Sequence, residues 1–352
     1  MTHKVFLNSG VYGTYRLPED LPEELLKLRR MAEDVRSGTL APERLRAFRV
    51  PHGVYEQRRD GSYMLRVRIP GGVILPGQMR ALAGAGRRYG SGPLHVTTRQ
   101  DVQIHHVPLE NIYPALAELY KAGLSAKGGG GNTVRNITAC PHSGVCPREA
   151  FDVTPHVIAL TEFMLADPAS FQLPRKYKIA FSGCAEDCAG ATVNDLGFIA
   201  KTRDGRSGFA IYAAGGLGSN ANIAQLLEDF VPAEEIHLAA EAVKRVFDRH
   251  GNRRNKHRAR LRYLVAEQGF ERFRDLYRAE KDELRDAGIA SLEFRSAPVP
   301  SAAGCATEGG AAAGFDAWRK THTKPQKQAD YFIVELPLFL GDVEPDVFEA
   351  LA

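Results

Sequence analysis

The sequence predicts an α+β fold, and three observations carry that prediction. Apolar and basic residues alternate from Tyr63 to Ile69 and again through LHVTTRQDVQIHHV, the two-residue period of half-buried strands. GQMRALAGAGRRYG and NIYPALAELYKAGL each bring apolar residues back at helical spacing after a strand. Strand, helix, strand, helix across 62–124 then form a unit with its helices on one face of a sheet.

Ahead of this unit, LPEELLKLRRMAEDVRSG and PERLRAFRV read as surface helices. Behind it, four glycines from Gly128 to Gly131 break the pattern, marking a domain boundary or a loop that lies against something. DVTPHVIALTEFMLAD is helical, Lys178 to Gly183 is an apolar strand, and DLGFIAKTR turns at Asp204 and Gly205 into GFAIYAAGG. Two basic helical patterns follow, AAEAVKRVFDRHGNRRNKHRARLRYLVAEQG and FERFRDLYRAEKDELRDAG. APVPSAAGCATEGGAAAG is small, proline-containing and aperiodic, the composition of a flexible linker. Beyond it, Tyr331 to Ala352 looks like a second version of Tyr63 to Ala83, with strand, proline, glycine and helix in the same order. The boundaries expected are a helical segment at 1–50, a first unit at 51–124, a second at 125–296, a linker at 297–317 and an incomplete repeat of the first unit at 318–352.

Composition narrows the class. The chain has 352 residues, 44% hydrophobic and 25% charged, so disorder and collagen-like repeats are excluded as its main character. A net charge of +4 is too mild to name a partner. The start has no apolar run after a basic flank, and no stretch approaches the ~20 apolar residues of a membrane span. The expectation is a cytoplasmic chain with reduced thiols and no membrane partner.

Four of the five cysteines fall in one region, as C-x5-C at Cys140 and Cys146 and C-x3-C at Cys184 and Cys188, while Cys305 sits in the linker without an assigned role. Four thiolates are the usual complement of one iron–sulfur cluster. Structural zinc sites favour pairs two to four residues apart, which the first pair exceeds, and unliganded core cysteines are the plain alternative.

NTVRNITAC, C-x5-C, LPRKYKIAFSGC, C-x3-C and NDLGFIAK, in this order, resemble the sirohaem and [4Fe–4S] region of the sulfite and nitrite reductases. MLRVRIPGG and TTRQDVQIHH are similar to the ferredoxin-like half domain that precedes it in the family, and RNKHRARLRYLVAEQG extends the likeness downstream. The resemblance implies a ferredoxin-like half domain followed by a sirohaem and [4Fe–4S] binding α+β domain, then the start of a second ferredoxin-like half. It implies a cluster held by Cys140, Cys146, Cys184 and Cys188, with Cys188 as the bridge to the sirohaem iron.

Reduction of a small oxyanion by six electrons consumes protons, so its site needs fixed positive charge and proton donors. By motif, Arg66, Arg135, Lys176 and Lys178 match the family's substrate-binding basic residues. Sulfite reductases carry Lys-x-Lys where this chain has Lys176 and Lys178, whereas many assimilatory nitrite reductases have Asn at the second position. The expectation is therefore sulfite, with nitrite as the alternative on the same scaffold and a non-catalytic cluster-binding module as another. Arg99, Gln103 and His105 in TTRQDVQIH alternate along an expected strand, so all three are placed on one face, and the motif contacts the macrocycle in the family. Asn132 and Asn136, and Arg258 and Arg260 in a basic helix expected from Lys244 to Arg262, complete the cofactor-binding set. That basic helix alone would suit nucleic acid, but no interleaved aromatic platform accompanies it, so no nucleic-acid partner is expected.

From Lys178 to Cys184 the chain runs roughly 20 Å if extended. A substrate lysine and a cluster cysteine serving one haem should be closer, so the resemblance implies that a second repeat or a second subunit completes each site. The implied electron donor is a ferredoxin or a flavoprotein.

Overall fold

The computed structural model describes residues 13–58, 61–218, 220–289, 291–295 and 313–352, which leaves Cys305 and most of the expected linker outside the described residues. Helices α1 (Leu21–Arg36) and α2 (Pro42–Arg49) each open with a proline in the first turn, where its missing N–H costs no bond. They are only half surface helices. Leu21, Leu25, Leu28 and Leu45 are buried in the core of the first sheet.

That sheet is built from β1 (Val54–Glu56), β2 (Ser62–Val67), β3 (Leu94–Val96) and β4 (Val102–Pro108), with α3 (Pro76–Tyr89) and α4 (Ile112–Lys121) packed on it. All its pairings are antiparallel, and Arg66 on β2 stands opposite Gln103 on β4. Leu65, Val67, Ile104 and Val107 face the helices, while Arg66, Gln103 and His105 remain partly open.

The second sheet has the order β5 (Thr138–Ala139), β6 (Ile179–Ser182), β7 (Leu196–Arg203), β8 (Arg206–Ala213), β9 (Gln225–Pro232). Its first three strands are parallel and the rest antiparallel. Helix α5 (Thr154–Ala166) covers it with α6 (Ile236–His250), α7 (Leu261–Gln268) and α8 (Phe270–Asp286). Phe181 and Phe198 stack at 4.3 Å on neighbouring strands and meet the edge of Phe209, a contact worth ~0.5–1.5 kcal/mol beyond area burial.

After 313 come α9 (Phe315–His322), which starts inside the span expected as linker, and the hairpin β10 (Thr323–Pro325) and β11 (Phe332–Val334). Strand β12 (Asp342–Val343) joins the first sheet beside β3, and α10 (Pro345–Ala350) lies against α3. The repeated strand thus stays apart from the first sheet, while the residues after it complete that sheet's edge.

Two expectations fail. The basic helix from Lys244 to Arg262 does not exist: α6 ends at His250, residues 251–260 form a loop, and Arg260 has an extended backbone ahead of α7. Gly251 and Asn252 stop the helix where only spacing between cations suggested continuity. Lys244 is itself buried, bound to Asp167 and Glu241. Nor does Arg99 alternate along a strand with Gln103 and His105, because it sits in the β3–β4 turn. Gln100, at φ 58°, reverses the chain there.

Candidate active site and cluster site

The parallel pair β5 and β6 sorts the functional residues into two groups. At the start of the pair, Arg135 N–H donates to the Tyr177 carbonyl at 2.9 Å, and Val134 bridges Tyr177. Tyr177 points inward and is fully buried with its hydroxyl on the Ala240 carbonyl, so Lys176 and Lys178 on either side turn the other way. At the far end, Cys140 follows β5 and Cys184 follows β6, and Cys140 N–H donates to the Phe181 carbonyl. Adjacent parallel strands therefore deliver one cysteine from each pair to the same place.

Neither Lys176 nor Lys178 has a hydrogen bond or ion pair to its ammonium among the described residues. Burial lowers the proton affinity of Lys178 to a pKa of about 8, helped by Arg99, Arg260 and Lys176. Lys176 is lowered as well, by burial and then by Arg260, Arg135 and Arg175. Arg66 uses Nε on Asp101, at 2.6 Å, and both terminal nitrogens are without a protein acceptor among the described residues. Arg135, by contrast, folds back onto the glycine loop, bonding the Gly129 carbonyl at 2.8 Å and the Tyr55 hydroxyl at 3.2 Å.

The expected cofactor residues divide similarly. Arg99 is buried and joins the sheets, donating to Asn194 Oδ1 and to the carbonyls of Asn136 and Ile179, with Nε left unpartnered. Asn136 donates to the Ile69 and Arg99 carbonyls and keeps a buried, unpartnered Oδ1. Arg260 grips Asp195 in a two-pronged pair that is completely buried on the acid's side. Gln103 and His105 share the open face of β4, with His105 Nδ1 3.0 Å from the Gln57 amide, whereas Asn132 and Arg258 are exposed.

Sequence reasoning missed three residues here. Arg68, 1% exposed, donates to the carbonyls of Lys127, Val134 and Arg135. A Cβ on Gly128 would lie 2.2 Å from its guanidinium, so this glycine admits the arginine, while Gly129 and Gly130 are held close by the Arg66 and Val50 carbonyls. Gln100 matches its amide to both backbone groups of Ala139, docking the β3–β4 turn on the edge of β5. Asp101, 1% exposed, holds Arg66. Alternating charge in TTRQD was the available signal for the last.

Across this face Arg66, Arg68, Arg99, Arg135, Lys176, Lys178 and Arg260 influence one another, with Asp101 and Asp195 as the facing carboxylates. So large a surplus of partly buried positive charge would be relieved by a bound anion. The eight carboxylates of sirohaem would meet that demand, and the unpartnered Arg99 Nε is a donor of the matching kind, whereas the unpartnered Asn136 Oδ1 is an acceptor that a carboxylate does not satisfy.

The cysteine end is also coherent. Cys140, Cys146 and Cys184 are buried and Cys188 is exposed. Burial raises the Cys140 thiol to about 11, with Cys188, Cys146 and Cys184 near enough to add to the effect, although among the described residues no three His, Cys, Asp or Glu side chains are arranged to hold a metal ion. A cationic cluster that takes thiolates relieves this crowding. The β10–β11 hairpin straps the C-x5-C loop. Lys327 N–H bonds the Val145 carbonyl, its ammonium meets Glu149 at 2.5 Å, and Glu149 accepts from Gly144 N–H at 2.8 Å.

With this geometry in place, comparison with known proteins gives a consistent result. Residues 55–122 match the nitrite/sulfite reductase ferredoxin-like half domain, and residues 130–284 match the nitrite and sulphite reductase 4Fe-4S domain. The chain belongs to the nitrite and sulfite reductase family. It is 35% identical over 258 residues to an assimilatory ferredoxin-dependent nitrite reductase of Haloferax mediterranei, covering 67% of this chain and 44% of that protein. A sulfite reductase [ferredoxin] of Mycolicibacterium paratuberculosis is 31% identical over 65% of this chain and 44% of its own length. The Mycobacterium tuberculosis NirA structure superposes with a TM-score of 0.74 at 24% identity, covering 96% of this chain and 63% of that one. The chain spans less than half the length of these two curated relatives. Among the described residues no helix is long and apolar enough to cross a membrane.

Proposed function

We propose that this chain supplies oxyanion-binding and cofactor-binding residues of a sirohaem and [4Fe–4S] reductase that carries nitrite or sulfite through a six-electron reduction. The observation that carries the reading is the pair of partly buried, unpartnered ammoniums of Lys176 and Lys178, with Arg135 and Arg99 linking them to Arg66 and its free terminal nitrogens. The guanidinium grips two oxygens of the anion, and the ammoniums balance its charge. With its pKa near 8, Lys178 is charged at neutral pH yet can release a proton to an oxygen whose bond is breaking. When bound, sirohaem and cluster supply the metal centre and the electron path. Cys140, Cys146, Cys184 and Cys188 would hold the cluster, and Arg99, Gln103, His105, Asn132, Asn136, Arg258 and Arg260 belong to the macrocycle's surroundings.

Two observations bear on the substrate. The second lysine of the Lys-x-Lys motif suits the more highly charged sulfite, while several of the proteins similar to this chain are named as nitrite reductases. A ferredoxin donor follows from the ferredoxin-dependent names of the relatives. A partner repeat or subunit is part of the proposal. Lys178 and Cys184 stand at opposite ends of β6, and Phe332, Phe339 and Leu340 offer exposed apolar surface. Steady-state assays with both anions and a reduced ferredoxin test the reading. Turnover of either that falls at least tenfold in Lys178→Asn supports it, with the ratio of the two kcat/KM values naming the substrate. Absence of turnover with the partner repeat present favours a cluster-binding module.

A further inference from the structure

We propose that Asp101 is a positioning residue that aims Arg66 at the bound oxyanion. This deepens the functional reading above and rests on it. Arg66 projects from the open face of β2, and a lone arginine on a strand samples many rotamers. Asp101 removes that freedom. Its Oδ2 accepts from Arg66 Nε at 2.6 Å, which restrains the guanidinium and leaves both terminal nitrogens without a protein acceptor among the described residues.

The carboxylate is itself held. Asp101 N–H donates to Thr97 Oγ1 at 3.1 Å and its carbonyl accepts from Thr97 N–H at 2.9 Å, closing the β3–β4 turn. Its other oxygen is buried and meets no donor, so the side chain's hydrogen bonding is spent on Arg66 alone. Arg68 and Arg99 lie near but direct their donors to backbone carbonyls and Asn194.

This role and that of a mere counter-charge predict effects of opposite sign. Removing a negative charge beside an anion site should tighten binding if only potential matters. Losing the aim of Arg66 should weaken it. Calorimetric titration of sulfite and nitrite into the holoprotein, together with kcat/KM, measures both. We expect Asp101→Asn to weaken the Kd by about 10-fold or more, the scale of one charge-assisted hydrogen bond. In an Arg66→Lys background, which keeps the charge but has no Nε to hold, the same change should have little effect. Unchanged or tighter binding in Asp101→Asn overturns the proposal, and so does an equal loss in both backgrounds. If the Asn variant does not fold, Asp101→Glu displaces the oxygen by one methylene and is read the same way. Wild-type binding that Arg66→Lys leaves unaltered sinks the functional reading of the site, whereas an Arg66 effect without an Asp101 effect sinks only this inference.

Discussion

Replacing Lys178 by Met should make the protein more stable and worse at holding its anion. The ammonium is partly buried, has no acidic partner and stands near Arg99, Arg260 and Lys176, which together with burial bring its pKa from 10.5 to about 8. At 1.36 kcal/mol per unit this corresponds to an upper bound of about 3 kcal/mol, and solvent screening of the exposed part reduces it to roughly 1–2 kcal/mol. Because the folded pKa lies below the unfolded one, the folded state binds fewer protons between pH 8 and 10.5. Wild-type stability therefore rises with pH through that window, and the full penalty is present below pH 8. Denaturant titration of wild type and Lys178→Met at pH 7 and 10 measures the difference, which should be largest at pH 7. Nitrite remains an anion throughout this range, so its affinity should drop above pH 8 in wild type and lose that limb in the variant. The variant should bind nitrite about 10- to 100-fold more weakly at pH 7, for one lost charge-assisted contact. A destabilised variant with unchanged affinity would refute the picture of a cation held ready for an anion.

Other sites give equally definite expectations. His156 is packed among Phe151, Phe209 and Phe294 with Nδ1 unpartnered, and burial takes its pKa to about 4. The unfolded chain thus binds the extra proton between pH 6.5 and 4, and stability should fall by up to about 3 kcal/mol on acidification through that window, a loss that His156→Phe removes in denaturant titrations. Asp195→Asn leaves Arg260 buried without its acid and should cost about 3–5 kcal/mol, read by the same method. Lys327→Ala removes the ammonium from Glu149 while the backbone bond to Val145 stays, so it should loosen the C-x5-C loop in part, raising hydrogen exchange across 141–149 while exchange in β7 and β8 stays unchanged.

Strands and helices with a clean period were legible, as in Lys178 to Gly183 and PERLRAFRV. Strand β9 was not, because QLLEDFVP lies on the sheet edge with Glu and Asp among its residues, and no two-residue alternation of apolar groups marks it. The two cysteine pairs stood out by spacing, and the structure puts Cys140 and Cys184 just after two neighbouring parallel strands. The basic residues were recognisable by motif, but their pairings were not. Asp195, which neutralises Arg260, is 65 residues away from it, and Arg68 meets its carbonyls from 59 to 67 residues away. Which cations remain free for a ligand is decided by such distant contacts. Arg135 and Arg99 turned out occupied by protein acceptors, Lys176 and Lys178 open, and no local pattern separates the two cases.

The central claim is that the cysteine end holds a [4Fe–4S] cluster while the basic end faces a sirohaem. Anaerobic purification followed by the visible spectrum and iron, sulfide and zinc analysis tests it most directly. The account predicts sirohaem absorption with about four irons and four sulfides beyond the haem iron, and loss of the cluster in Cys184→Ser. Zinc in place of iron, with no haem absorption, would contradict it.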